Sequence, residues 1–117
     1  MSERLKKYID AEIERSEKLF AENDYEAAFR HLERAHILGQ AITYEHTRTH
    51  FLMLKFGWRR RDFREIFGQI FRIVGAVTKT PFGIYPKGNT GGAYVSPFKP
   101  MPIPEDLQAI LRQAKEV

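Results

Sequence analysis

Asn23-Asp24-Tyr25-Glu26-Ala27-Ala28-Phe29 and Arg61-Asp62-Phe63-Arg64-Glu65-Ile66-Phe67 lie 38 residues apart and share one pattern: a polar break, an aspartate, an aromatic residue and a helix-forming run. An aspartate just ahead of such a run accepts a hydrogen bond from a backbone N–H in the first turn and so starts a helix. Each copy therefore closes one helix and opens the next. Upstream, Leu5, Ile9, Ile13 and Phe20 recur at helical spacing among Lys and Glu, which predicts an amphipathic helix over residues 3–20. A second helix is expected over residues 25–38 with Gly39 as its stop, a third over 44–60 with Thr43 as its cap, and a fourth over 63–77. Short links make successive helices antiparallel neighbours. The expected fold is all-α, with two stacked helical hairpins spanning residues 3–78.

After Asp24-Tyr25, the residues Ala28, Leu32 and Ala35 stand where the second helix of a tetratricopeptide repeat puts its small and apolar side chains. The hairpin resembles that repeat, with a longer period and without the Trp, Gly and Tyr signature of its first helix. Two such units are fewer than the three that usually stand alone, so the C-terminal part must cap them. That part changes character. Thr80-Pro81-Phe82-Gly83, Tyr85-Pro86-Lys87-Gly88-Asn89-Thr90-Gly91-Gly92 and Pro97-Phe98-Lys99-Pro100-Met101-Pro102-Ile103-Pro104 are dense in turn signals. Residues 79–104 are read as an ordered wrap, with Phe82, Tyr85, Tyr94 and Phe98 as the apolar surface that lies on the helices. Pro104 followed by Glu105 and Asp106 opens a last helix over residues 105–115. The whole chain, 1–117, reads as a single domain.

Composition narrows the function. An apolar fraction of 43%, with nine Phe, five Tyr and one Trp, belongs to a folded chain. The sequence has no run of eighteen apolar residues, and Met1-Ser2-Glu3-Arg4 opens a charged amphipathic segment, so a cytoplasmic setting without membrane contact is expected. With no cysteine, a metal can be held only by imidazole, carboxylate or carbonyl groups. A net charge of +4 is too small to favour a dedicated nucleic-acid binder.

Arg30-His31-Leu32-Glu33-Arg34-Ala35-His36-Ile37-Leu38-Gly39-Gln40, His46-Thr47-Arg48-Thr49-His50, Tyr85-Pro86-Lys87-Gly88-Asn89-Thr90-Gly91-Gly92 and Met101-Pro102-Ile103-Pro104-Glu105-Asp106-Leu107 resemble segments of a family of small bacterial proteins known only as a domain of unknown function. The resemblance spans roughly residues 20 to 112 and implies no activity.

All four histidines fall within residues 31–50. On a helix each residue turns ~100°, which puts His31 and His36 ~140° apart, both at the border of an apolar face. His46 and His50 are one turn apart and share a face with Met53, Leu54 and Gly57. Pairing the second and third helices outward from their turn sets His36 beside His46, and His31 beside His50 or Phe51. Four clustered imidazoles are costly to bury neutral and repel one another when charged, so a shared cation relieves them. We therefore expect a metal site built from His31, His36, His46 and His50, with Glu12 as an extra ligand and Gln69 as an orienting partner. The donor set suits zinc, iron, copper or nickel. Glu33-Arg34-Ala35-His36 has the spacing of a diiron motif, but Glu33 turns ~60° away from His36 toward solvent. The competing reading is a packed, metal-free histidine core.

Arg59, Arg60, Arg61 and Arg64, with Trp58, Phe63 and Arg72 nearby, form a basic edge. Such an edge suits phosphate contacts with Trp58 or Phe63 available for stacking, and it supports the alternative function, a helical-repeat module that binds a protein or other acidic partner. Lys87, Asn89 and Thr90 are expected to line a pocket over the helices; the loop lacks the strand and Gly-Lys-Ser/Thr ending of a P-loop. No nucleophile elbow is present, so hydrolysis is disfavoured and no catalytic residue is assigned.

Overall fold

Asp24 and Asp62 each accept a hydrogen bond from the backbone N–H three residues on, from Ala27 at 3.3 Å and Glu65 at 3.1 Å. The residue before each is left-handed, Asn23 with φ 65° and Arg61 with φ 57°. Each aspartate also donates its own N–H back to the helix just ended, Asp24 to Leu19 O and Asp62 to Gly57 O, both at 2.9 Å. The sequence echo is thus a repeated corner: a left-handed stop, a closing bond and a capping aspartate.

A computed structural model describes residues 3–115; Met1 and Ser2 of the charged opening segment and residues 116–117 lie outside the described residues. The chain runs through α1 (Glu3–Ala21), α2 (Tyr25–Gly39), α3 (Thr43–Arg60), α4 (Phe63–Lys79), a 3-10 turn (Thr80–Phe82) and α5 (Glu105–Lys115). No strand occurs among the described residues, and no helix is long and apolar enough to cross a membrane.

The turn between α2 and α3 departs from expectation. Gly39 is the last residue of α2, not a left-handed stop, and Gln40 after it is still right-handed. A Cβ on Gly39 would come within 2.6 Å of the Glu45 Cβ, so the glycine is there to let α3 start hard against α2. Thr43 is the first residue of α3, and Ile42 holds the cap position without any side-chain bond.

α1 packs on α2 and α3 on α4, and the two hairpins stack through α2 and α3. Ile9, Leu32, Leu38 and Met53 are buried between them. Leu107 is buried where α5 lies across α1 and α2. Burial of each such side chain stabilises the fold by about 1.5–3 kcal/mol. Arg34 of α2 ties the same layers together, bonding Glu12 of α1 and Asp106 of α5.

Residues 83–104 do lie on the helices, but of the four aromatic residues expected to anchor them only Tyr85 is half-buried, its ring 6.4 Å from that of His46. Phe82, Tyr94 and Phe98 are 79%, 59% and 67% exposed. Polar bonds hold the segment instead: Gln40 Nε2 donates to Pro86 O at 2.6 Å, and Gly88 N donates to Gln40 Oε1 at 2.9 Å. Asn89 is the internal brace, donating to Ser96 O and Lys99 O and accepting from Gly91 N. A stretch without regular structure must pair its backbone groups somehow when it is pressed on a core, and here two amide side chains supply the partners.

Candidate metal centre

α2 carries His36, and α3 carries His46 and His50 one turn apart, on the faces where the two helices meet. All three are buried. Their ring centroids form a near-equilateral triangle: 4.8 Å between His36 and His46, 4.5 Å between His36 and His50, and 4.9 Å between His46 and His50. One nitrogen from each lies within 4.8 Å of the others, so the group could hold a metal ion.

Each ring is fixed from behind. His36 Nδ1 lies 2.9 Å from Asn89 O, His46 Nδ1 2.7 Å from Thr80 Oγ1, and His50 Nδ1 2.6 Å from Gln69 Oε1. The amide orientation of Gln69 is settled by its neighbours: its Nε2 donates to Glu65 Oε2 at 2.9 Å and to Gly91 O at 2.8 Å, both acceptors. Its Oε1 therefore accepts from His50. The carbonyl of Asn89 can only accept, so His36 also donates from Nδ1.

A neutral imidazole with its proton on Nδ1 keeps a lone pair on Nε2. His36 Nε2 and His50 Nε2 lie 3.0 Å apart. Two lone pairs thus face each other in a buried site. A proton between them would mend the contact, but burial opposes the charge. It pushes His46 down to about 4 and His50 to about 3, with His46 adding like-charge repulsion at His50. Burial holds His36 well below its usual range, reinforced by His50 and His46.

Beside the triangle is a cavity of about 380 Å³ bordered by all three histidines. Its walls are mostly apolar, with Phe71, Val74, Ile84 and Phe98, and carry two cations, Arg72 and Lys79. Arg72 donates to the carbonyls of Gly68 and Val95, and its buried Nε has no hydrogen-bond partner.

The structure divides the residues expected to share an ion. His36 meets His46 as expected, and it meets His50 as well. His31 does not join them: its Nδ1 lies 2.9 Å from Glu12 Oε2, and Arg34 binds the same carboxylate at 3.0 Å. His31 and Glu12 thus belong to an ion-pair site linking α1 and α2, outside the three-histidine group. Gln69 stands behind His50. Glu33 does not point to solvent but is part-buried against Thr90, and that burial raises its carboxyl above the usual range. Asn89 lines the cavity and its carbonyl orients His36, whereas Lys87 is exposed and Thr90 bonds Glu33.

The basic edge is occupied by the protein's own rings. Arg59 lies over Phe20 at 4.3 Å, Arg60 over Tyr25 at 4.8 Å and Arg64 over Tyr94 at 4.5 Å, while Arg61 is the left-handed corner.

Three further residues of the centre escaped the sequence reading. Thr80 backs His46 from the 3-10 turn. Glu65, one turn before Gln69, fixes that amide and also accepts from Ala93 N at 2.7 Å, although burial raises its carboxyl. Gly91, with φ 90°, passes so close to His36 that a Cβ would lie 2.8 Å from the ring. The Gly91-Gly92 pair and the Glu65, Gln69 spacing were the available signals.

No curated protein and no solved structure matches the chain. A family model described as Protein of unknown function (DUF3703) matches residues 3–111, and the chain belongs to that family.

Proposed function

We propose that the protein binds a transition-metal ion through the Nε2 atoms of His36, His46 and His50. The observation that carries this reading is the pair of Nε2 lone pairs facing each other 3.0 Å apart with both Nδ1 protons already committed. A cation between them converts a repulsive contact into coordination. At metal–nitrogen lengths of ~2.0–2.1 Å, the His36 and His50 nitrogens subtend roughly 91–97° at the ion, and the three donor atoms, within 4.8 Å of one another, need only draw together slightly for the third to join them. The hydrogen bonds on the far side of each ring are the orienting partners that metal-bound histidines have. Imidazole donors favour zinc, iron(II), copper and nickel over calcium and magnesium.

Three neutral ligands would leave the ion's charge uncompensated, and the cavity that the three histidines border gives room for a further ligand. Arg72 and Lys79 add positive charge there, so the group that completes the coordination is expected to be an anion, either hydroxide from bound water or a small acid. An open position of this kind supports ligand exchange or catalysis in addition to storage of the ion.

Metal analysis of tag-free protein, followed by loading with each of the four metals, tests the proposal. About one ion per chain is expected, with a rise in melting temperature for the preferred metal, since a ligand of the native state at 100 times its Kd adds about 2.7 kcal/mol. Absence of both the ion and any thermal shift would leave a packed histidine core as the correct reading.

A further inference from the structure

On α4, Phe63, Phe67, Ile70, Val74 and Val77 follow one another at spacings of four, three, four and three residues, which is the seam of a two-helix coiled coil. They are 48–69% exposed. The opposite side of α4, with Glu65, Ile66, Gln69 and Ala76, is the one buried against the rest of the fold. A helix buried on one side and apolar on the other has two neighbours to satisfy, and the fold provides one.

We infer that the outer seam of α4 is the interface of a homodimer in which two copies of this chain pack α4 against α4, antiparallel. Area is the first argument. A fully exposed phenylalanine presents roughly 200 Å², so the five seam residues and the adjoining Phe71 offer on the order of 600 Å². Ile84 and Phe98, exposed beside them, bring this to about 800 Å², the share each partner contributes to a stable interface.

Shape and charge fix the orientation. In an antiparallel pair the two kinds of seam position face each other; with Phe67 opposite Val77 of the other copy, Ile70 meets Val74 and Phe63 reaches past the end of the facing α4. Gly75, with no atom near its missing Cβ, leaves a hollow beside Val74. A parallel pair would instead set Phe against Phe and place Arg59, Arg60, Arg61 and Arg64 beside their own copies. Antiparallel packing sends these clusters to opposite ends of the seam and aligns the two helix dipoles favourably. Phe71, Val74 and Gly75 also border the cavity by the histidines, so the second copy would lie along one side of its mouth.

The seam uses no histidine, so its test is independent of metal. Sedimentation velocity of the tag-free chain in EDTA, from about 1 to 100 µM, should give twice the chain mass with a micromolar or tighter Kd. Phe67→Asp and Val74→Asp should each weaken the dimer at least ~30-fold with an unchanged helical circular-dichroism spectrum, because both side chains are solvent-exposed in the single chain. Phe51→Asp, an exposed aromatic on α3 off the seam, should leave the dimer as it was. A wild-type chain that stays monomeric at 100 µM, or a dimer indifferent to Phe67→Asp, overturns the inference. So does a monomer that co-sediments with anionic phosphatidylcholine–phosphatidylglycerol vesicles through this face, which would assign it to a lipid surface.

Discussion

His31 and His36 sit on the same helix five residues apart, yet they live in opposite surroundings. His31 is partly open to water and rests on a carboxylate that Arg34 also holds. His36 is buried, has no acid within hydrogen-bond reach, and turns its Nε2 lone pair onto that of His50. What separates them is ~140° of helical rotation, enough to hand one ring to α1 and the other to α3. The lesson concerns what makes a histidine a ligand candidate: not proximity to other histidines in the chain, but a committed Nδ1 proton behind the ring and an unsatisfied Nε2 in front.

Removing one ring from each region should have the largest and most unequal effects. His36→Ala or His50→Ala should abolish stable metal loading, a loss beyond the ~10–100-fold that follows removal of a mere orienting partner. His31→Ala should leave stoichiometry and affinity unchanged. Equilibrium dialysis followed by elemental analysis reads both, and loading that survived His36→Ala while failing in His31→Ala would invert the assignment.

Acid offers a second contrast, this time in stability. An unfolded histidine titrates near 6.5, and the three buried rings titrate lower when folded, His46 at about 4 and His50 at about 3. The folded state therefore binds fewer protons. The stability this gives is fully present above pH ~6.5 and is lost as pH falls toward those values, at up to about 1.4 kcal/mol per pH unit for each ring. Metal-free protein is expected to lose several kcal/mol between pH 7 and pH 5 in urea titrations. Bound metal should be released in the same range, because protons compete for Nε2. A flat profile across that range would show that the rings are not buried neutral.

How much of this was legible in the sequence follows from the range of the interactions involved. The repeated Asp24 and Asp62 corners were readable because capping is local, complete within three residues. The inward placement of His36, His46 and His50 was readable from helical angle. That His31 would pass to Glu12 was half visible in the same angle, but choosing between α1 and α3 as its neighbour needs the packing of three helices. The wrap hid most: Asn89, Gly91 and Thr80 reach the histidines from about 30 to 55 residues away through one backbone carbonyl, one close backbone approach and one hydroxyl, and a segment without periodicity carries no sign of where its backbone groups point. The seam on α4 was hidden differently, since an apolar stripe looks the same whether it faces a core or a second chain.

Smaller effects sharpen the boundary of the buried region. Gly91→Ala puts a Cβ 2.8 Å from the His36 ring and forces an L-residue to φ 90°. It should cost about 1–3 kcal/mol and weaken metal affinity by turning His36 off its Asn89 carbonyl. Gln69→Leu keeps the volume but leaves His50 Nδ1, Glu65 and Gly91 O short of a partner, again about 1–3 kcal/mol. Its diagnostic is affinity, expected to fall ~10–100-fold. Destabilisation with unchanged affinity would reduce Gln69 to a packing residue.

The smallest effect belongs to the other region. Glu12→Gln removes the charge that His31 and Arg34 share but keeps a carbonyl oxygen in the same place to accept from either. The pair is partly solvated, with side chains 18–29% exposed, so water already screens much of the attraction, and the loss should stay under about 1 kcal/mol, shrinking further at high salt. Arg34 keeps Asp106 and continues to tie α2 to α5. Metal affinity should not move, since Glu12 contacts none of the three buried rings. A measurable drop in affinity for Glu12→Gln would mean that the two regions are coupled through α2, and that His31 acts on His36 along the helix they share.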